Sequence, residues 1–225
     1  TQETVKDANI NDSQNTTIAI FLEFLEFDLK KQLQNGMNNT LKTRIIVEIS
    51  HALNYLHKKG MIHRDLKIEN IMLNSVYQAK LVDFGLVRIH ECLPEYSYVA
   101  DSMTKGVGTL LYMSPEMLNN ESYDYKTDVY SFGVVLFVMF TGNFPKQTLK
   151  DKMKGNNITV NDKSNGITDF CIKLIEKCTV SEPNERPTFE EILQELRTNE
   201  YDLANSIDKS VIHQRDMEIC LFEDR

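Results

Sequence analysis

The stretch from Ile62 to Gly85, IHRDLKIENIMLNSVYQAKLVDFG, constrains the fold of this chain more than any other. Its apolar residues predict two short strands, Ile71–Leu73 and Ala79–Val82, joined by a turn. Four polar side chains flank the strand pair: Asp65, Lys67, Asn70 and Asp83. Carboxylate and amide oxygens can bind a hard divalent cation and orient a hydroxyl, and a lysine can neutralise phosphate oxygens. The stretch therefore predicts a site for magnesium–nucleotide chemistry; a solvated acidic loop beside a hairpin is the alternative.

Helical periodicity marks most of the remaining chain. One compact apolar run, Ile18–Phe24, predicts a buried strand instead. Asn39 or Thr40 is expected to cap the second of the predicted helices. The segments with helical features are Asp28–Gln34, Leu41–Lys59, a short helix opening at Ser114-Pro115-Glu116, a buried helix at Asp128–Thr141, a surface helix at Leu149–Lys154, an amphipathic helix at Phe170–Cys178 and a final helix opened by Thr188 and Glu191. The fold class predicted from these patterns is mainly α, of the α+β type.

Charge and composition exclude several classes of protein. The formal net charge of −8 argues against nucleic acid or an anionic membrane as the main partner. The longest apolar run, Phe132–Phe140, is too short to cross a bilayer. The first residues are polar and acidic, unlike a signal peptide. The four cysteines are scattered without a C-x-x-C pair, which favours a reduced, cytosolic compartment.

The motifs H-R-D-L-K-x-x-N, D-F-G and S-P-E follow one another and precede an apolar helix. In this order and spacing, residues 18–197 resemble a eukaryotic protein kinase. The resemblance implies a C-terminal helical lobe with a short β-hairpin and one strand from the N-lobe and hinge. Residues 1–17 are then a polar lead-in loop, and residues 198–225 are a C-terminal extension of unknown role, partly helical.

The resemblance assigns roles to the four polar residues. Asp65 is expected to accept or orient the proton of the substrate hydroxyl, and Lys67 to stabilise charge on the transferring phosphoryl group. Asn70 and Asp83 are expected to hold Mg²⁺ against the phosphates of ATP. Catalysis would then rest on positioning and electrostatics, without an unusual pKa.

Five residues correspond to the family's adenine pocket. Leu22 stands at the gatekeeper position, and Glu23 to Leu25 at the hinge whose backbone bonds adenine. Met72 is expected to form the floor of the pocket. Ordinary core packing is the alternative reading for these positions, because pocket walls are mostly apolar.

The resemblance also implies structural supports and a regulatory site. Glu116 and Arg186 match the family's buried ion pair, and Asp128 matches the residue that steadies the catalytic loop. Arg64 and Arg88 are expected to grip a phosphate on the long segment 85–113. The expected acceptor is Thr104, with Ser102 second; plain solvated loop residues are the alternative.

Lys67 together with Thr109 in V-G-T-L-L-Y-M-S-P-E resembles serine/threonine kinases rather than tyrosine kinases. The segment Tyr130–Phe137, Y-S-F-G-V-V-L-F, leans towards the tyrosine-kinase-like group of serine/threonine kinases. The expected partner is therefore a protein with a serine or threonine acceptor. The sequence predicts neither an oligomeric state nor a particular substrate.

The chain departs from the family pattern on the nucleotide side. No G-x-G-x-x-G occurs in residues 1–225, and Phe21 stands where Ile18-Ala19-Ile20 would need the strand lysine. The sequence therefore predicts that most of the N-lobe is missing, with weak or no activity of this chain alone. Three hypotheses follow: a serine/threonine kinase fragment, which is favoured; a pseudokinase-like scaffold; and a small-molecule phosphotransferase. A glycine-rich loop upstream of Thr1 would support the first.

Overall fold

The computed structural model describes residues 22–86, 88–89, 107–160 and 166–223. Helices dominate these residues, and the strands are short. In chain order the elements are β1 Phe27–Asp28, α1 Leu29–Gln34, α2 Asn39–Lys58, β2 Met61–Ile62, β3 Ile71–Leu73, β4 Ala79–Leu81, β5 Arg88–Ile89, α3 Val107–Leu110, α4 Pro115–Leu118, α5 Lys126–Thr141, α6 Leu149–Met153, α7 Asp169–Cys178, α8 Phe189–Thr198 and α9 Lys209–Glu223. The predicted mainly α class with a small hairpin is confirmed.

Helix α5 forms the centre of the hydrophobic core. Its apolar sequence is buried nearly all round, as a helix without a polar face must be. Helix α7 packs closely against it at Gly133, where a Cβ atom would come within 2.5 Å of Thr179 Cγ2 and 2.8 Å of Cys178 Cβ. Because no side chain fits in that gap, glycine is required for this helix contact.

Helix α2 is the long support on which the candidate site is built. Its buried face carries Ile45, Ile46, Ile49 and Leu53 at helical spacing. The predicted caps Asn39 and Thr40 are wrong, because Asn38 is the N-cap and its Oδ1 accepts from the N–H of Leu41 at 2.8 Å. The helix begins at Asn39, two residues earlier than the apolar periodicity indicates.

The predicted hairpin is present as an antiparallel pair of β3 and β4, with Met72 opposite Lys80. Strand β1 completes this sheet by pairing Phe27 with Leu73. The ring of Phe27 also stacks on Tyr77 at 4.7 Å between ring centroids.

The strand predicted at Ile18–Phe24 is wrong for its described part, residues 22–24, which form no strand. Leu22 is 84% exposed and Phe24 is 82% exposed, so neither side chain is covered by another layer. The pairing edge of β3 is instead taken by Phe27 and Asp28. Residues 18–21 lie outside the described residues.

The later helices agree with their sequence patterns, with one exception. Thr188 and Glu191 form the predicted capping box of α8, and Cys171 and Cys178 are both buried on α7. Helix α6, predicted as a surface helix, buries Lys152. Among the described residues, no helix has the length and hydropathy needed to span a bilayer.

Candidate active site

Asp128, in the first turn of α5, organises the loop that follows β2. Its Oδ2 accepts from the backbone N–H of His63 and its Oδ1 from that of Arg64, both at 2.8 Å. His57 Nε2 lies 2.8 Å from the same carboxylate. Arg64 adopts a left-handed backbone with φ 69°, an unfavourable conformation for a residue with a Cβ. The buried carboxylate therefore fixes the turn that directs the next residue, Asp65.

The side chain of Asp65 is buried at the centre of a small polar cluster. Lys67 Nζ donates to Asp65 Oδ2 at 2.8 Å. Asn70 Nδ2 donates to the same Oδ2 at 3.0 Å and to the Asp65 carbonyl oxygen at 2.8 Å. Three of the four predicted residues thus lie in direct contact, and the carboxylate is held in one orientation by charged and neutral donors.

Asn70 also connects this cluster to the hairpin. Its backbone carbonyl accepts from Val82 N at 2.9 Å, which ties the start of β3 to the end of β4. Asp83 follows at once, exposed and with a left-handed φ of 62°. Gly85 N lies 3.4 Å from its Oδ1.

The donor set suits a hard cation. The amide nitrogen of Asn70 is turned towards Asp65, which leaves the amide oxygen as its ligand atom. A carboxylate and an amide oxygen are ligands that Mg²⁺ accepts, with water and phosphate oxygens completing its shell. The residue types of Asn70 and Asp83 would therefore suit a magnesium ion, which would supply positive charge beside phosphate oxygens.

Thr109 brings the segment before α4 to the same cluster. Its Oγ1 accepts from Lys67 Nζ at 3.3 Å, and the residue is buried. Ser114 directly precedes α4. Its hydroxyl forms a hydrogen bond of 2.7 Å with Thr127 Oγ1 and does not cap α4. The segment between Thr109 and Pro115 is therefore attached at one end to Lys67 of the Asp65 cluster and at the other end to α5.

Glu116 and Arg186 form a buried, two-armed ion pair. Arg186 Nη1 donates to Glu116 Oε1 at 2.6 Å, and Nη2 donates to Oε2 at 2.9 Å. The remaining guanidinium donors reach the carbonyl oxygens of Lys126, Val180 and Ser181. The pair joins α4 to the turn before α8.

The residues expected to contact adenine are not gathered into a closed pocket. Leu22 points into solvent, and Leu25 and Met72 are half-buried. Glu23 is exposed and lies 3.2 Å from Lys80 Nζ, which attaches this segment to β4. A gatekeeper requires a covering layer above the hinge, and the described residues do not provide one for Leu22.

The predicted regulatory residues are only partly described. Thr104 and Ser102 lie outside the described residues. Arg88 is in β5, where its backbone pairs with Ile62. Arg64 is buried, with its guanidinium 5.6 Å from the centre of the Tyr123 ring.

Lys152 is a residue that the sequence motifs do not single out. Its Nζ donates to the carbonyl oxygens of Leu111 at 2.6 Å and Met113 at 3.0 Å, and lies 4.9 Å from the centre of the Tyr130 ring. Burial lowers the pKa of Lys152 to about 7. A lysine on a short polar helix carries no sequence signal for burial, because such residues are usually solvated.

Comparison with known proteins agrees with this geometry. The family model of the protein kinase domain matches residues 4–196. The chain belongs to the protein kinase family. The resemblance inferred from the motifs is thereby confirmed.

Proteins similar in sequence to this chain are also named as protein kinases. It is 36% identical over 202 residues to human receptor-interacting serine/threonine-protein kinase 1, covering 80% of this chain and 30% of the relative. A probable serine/threonine-protein kinase of Dictyostelium discoideum is 35% identical over 164 residues, or 71% and 17% of the two chains. A dual serine/threonine and tyrosine protein kinase of Xenopus laevis is 29% identical over 194 residues, or 81% and 20%. The chain thus spans less than a third of the length of each.

Proposed function

We propose that this chain carries the hydroxyl-orienting and metal-binding part of a protein kinase that transfers phosphate from ATP to serine or threonine in proteins. The observation that supports this most is the cluster of Asp65, Lys67 and Asn70. One carboxylate oxygen of Asp65 accepts from both other residues. A scaffold has no chemical need for such a set, whereas phosphoryl transfer depends on positioned charges.

The three residues of the cluster, together with Asp83, each have one role in this proposal. Asp65 accepts a hydrogen bond from the substrate hydroxyl and turns its oxygen towards the phosphate. Lys67 neutralises charge on the phosphoryl group as that group moves from ATP to the acceptor. Asn70 and Asp83 hold Mg²⁺, which when bound neutralises the phosphate oxygens and fixes their orientation.

The serine/threonine preference rests on Lys67 and Thr109. Their contact at 3.3 Å joins the catalytic loop to the segment that precedes α4. A protein substrate docked along that segment would present its hydroxyl beside Asp65. The net charge of −8 favours a protein partner over nucleic acid or an anionic membrane. We propose a cytoplasmic location, since the described cysteines form no disulfide.

Nucleotide binding by residues 1–225 alone is proposed to be weak. No glycine-rich loop occurs in this sequence, and Leu22 and Phe24 are exposed where adenine would be covered. The expected result is a shift in melting temperature of about 1 °C or less at millimolar Mg-ATP, in keeping with mass action for a ligand near its Kd. An Asp83→Asn variant should remove even that shift. A large, saturable shift at micromolar Mg-ATP would overturn the proposal of weak binding.

Regulation by phosphate is proposed for Thr104, with Ser102 as the second acceptor. Arg64 and Arg88 would supply the charge-assisted hydrogen bonds to the phosphate. A complete enzyme carrying Thr104→Ala should lose activation by an upstream kinase. Undiminished activity of that variant would count against this role.

The function itself is tested by phosphoamino-acid analysis. The chain is fused behind the small lobe of a related kinase, so that a glycine-rich loop and a strand lysine are present. Incubation with Mg-ATP and a general protein substrate should yield phosphoserine and phosphothreonine without phosphotyrosine. A folded fusion that binds Mg-ATP but forms no phosphorylated product would favour the pseudokinase-like scaffold instead.

A further inference from the structure

Helix α9 is attached to the back of α2 by a buried polar cluster. Asp216 is at its centre, accepting from Tyr201 Oη at 2.7 Å and from Arg197 Nε at 2.7 Å. His51 Nε2, on α2, lies 2.6 Å from its Oδ1. Ile212, one turn earlier on α9, is fully buried in the main core. The helix is therefore part of the same folded unit as α2, although the kinase-domain match ends at residue 196.

The neighbouring residue, Arg215, contacts a second buried acid, Glu48 on α2. Its Nε donates to Glu48 Oε1 at 2.7 Å. The other carboxylate oxygen, Oε2, accepts from the backbone N–H of Ala79 at 2.6 Å. Ala79 is the first residue of β4. One buried carboxylate thus connects α9 directly to the hairpin.

The hairpin carries the candidate metal ligands at its two ends. Asn70 directly precedes β3, and Asp83 follows β4 by two residues. The bond from Val82 N to Asn70 O, 2.9 Å long, brings those ends together. Arg44, one turn before Glu48, donates to the Tyr77 carbonyl at 2.6 Å and so holds the turn of the same hairpin. Because Glu48 bonds the first residue of β4, its position affects where the hairpin places Asn70 and Asp83.

We propose that Glu48 is a positioning residue of the candidate phosphotransfer site, and that Arg215 of the C-terminal helix α9 holds it in place. The charge of Arg215 compensates the buried carboxylate of Glu48, which also accepts from the backbone N–H of Ala79. Arg44 is a second cation near Glu48, but its Nε lies 3.9 Å away and its Nη2 is engaged by the turn carbonyl. Without Arg215 the carboxylate would be poorly compensated in a buried place, and it would move towards solvent.

This inference depends on the proposed function in one respect: the assignment of Asn70 and Asp83, at the ends of the hairpin, as metal ligands. The chain of contacts from Arg215 to Ala79 is independent of it. The test is therefore amide hydrogen exchange on the chain itself, which requires neither nucleotide nor phosphotransfer. The amides of Ala79 and Val82 report the hairpin, and that of Val134, in the buried middle of α5, reports global unfolding.

Arg215→Ala should speed exchange at Ala79 and Val82 by about tenfold relative to Val134, a size typical of coupled residues in one network. Glu218→Ala is the matched control. Glu218 accepts from Arg215 Nη1 at 3.2 Å on the exposed side of α9, away from Glu48. The control variant should leave the exchange at both hairpin amides unchanged.

The Glu48→Gln variant distinguishes a local effect of Arg215 on the hairpin from a general loss of stability. The amide oxygen of glutamine still accepts from Ala79 N but needs no cation, so adding Arg215→Ala in this background should have little further effect on the hairpin. Equal acceleration at all three amides would overturn the proposal, because it would indicate only a loss of global stability. The proposal would also be overturned if Arg215→Ala accelerated exchange at the hairpin amides equally in the wild-type and Glu48→Gln backgrounds.

Discussion

Arg186 and Glu116 are joined by two hydrogen bonds of 2.6 and 2.9 Å, and both side chains are buried. Seventy residues separate them in the sequence. Their contact therefore fixes α4, which follows the segment between Thr109 and Pro115, to the turn before α8. Three backbone carbonyls saturate the other guanidinium donors.

Breaking this pair should be among the costliest single substitutions in the chain. Arg186→Met leaves the Glu116 carboxylate buried without its partner, and we expect the free energy of unfolding to fall by about 3–5 kcal/mol. Urea unfolding followed by circular dichroism measures the change. Lys30→Ala, which breaks an exposed ion pair with Glu69, is the control and should change little. A loss for Arg186→Met as small as for the control would contradict the structural role.

Acid should weaken the docking of α9. Burial acts to raise the pKa of Asp216, but hydrogen bonds from His51, Arg197 and Tyr201 outweigh it, so that the pKa lies well below its ordinary value. A carboxyl with a depressed pKa in the folded state stabilises the fold above its unfolded pKa of about 4, and that stability is lost as the pH falls further.

Asp216→Asn removes this contribution. Thermal unfolding of the wild type and the variant between pH 7 and pH 3 should show a large difference at pH 7 that narrows below about pH 4. A difference in melting temperature that stays constant across this range would show that the charge of Asp216 does not matter.

Lys152 should give a pH dependence at the alkaline end. Burial lowers its pKa to about 7, whereas an unfolded lysine titrates near about 10.4. Between these values the unfolded chain binds more protons than the folded chain, so the contribution of Lys152 to stability increases as the pH rises. Melting temperatures of wild type and Lys152→Met should therefore diverge in favour of the wild type from about pH 7 to about pH 9.5. Parallel curves would contradict the lowered pKa.

The features that can be predicted from the sequence are those that depend on residues close to one another in the chain. Helical spacing in α2, the nearly continuous apolar sequence of α5 and the strand–turn–strand pattern between Asn70 and Asp83 each identify an element from its own residues. The cluster at Asp65 is predictable because its motif holds the residue types and spacing that the chemistry requires. The left-handed backbone at Arg64 and Asp83 shows that the fold accepts local strain to keep them there.

The features that the sequence does not predict depend on long-range contacts. Lys152 is buried because carbonyls 39 and 41 residues away face it. Asp216 meets His51 across 165 residues, and no pattern within 198–225 indicates that contact. The apolar run ending at Phe24 suggests a strand, but a strand forms only where a partner edge and a covering layer exist.

The exposed apolar residues near the start of the described region should limit solubility. Leu22 and Phe24 project into solvent from the same short segment. Replacing both with serine should reduce self-association, measured by light scattering at rising protein concentration, and leave the urea midpoint unchanged. Val211→Ser, at a less exposed apolar residue of α9, is the control. Unaltered scattering in the double variant would mean that another surface is responsible.

The central claim is that Asp65 orients the substrate hydroxyl for phosphoryl transfer. The most direct measurement is kcat for phosphorylation of a serine/threonine protein substrate by the small-lobe fusion, for wild type and for Asp65→Asn. Asparagine keeps the shape of the side chain but cannot accept the proton, and Glu190→Gln, an exposed acid of α8, is the matched control. We predict a fall in kcat of about a hundredfold or more for Asp65→Asn with KM for ATP little changed, and no effect of the control. Phosphorylation that proceeds equally well with asparagine at position 65 would contradict the account.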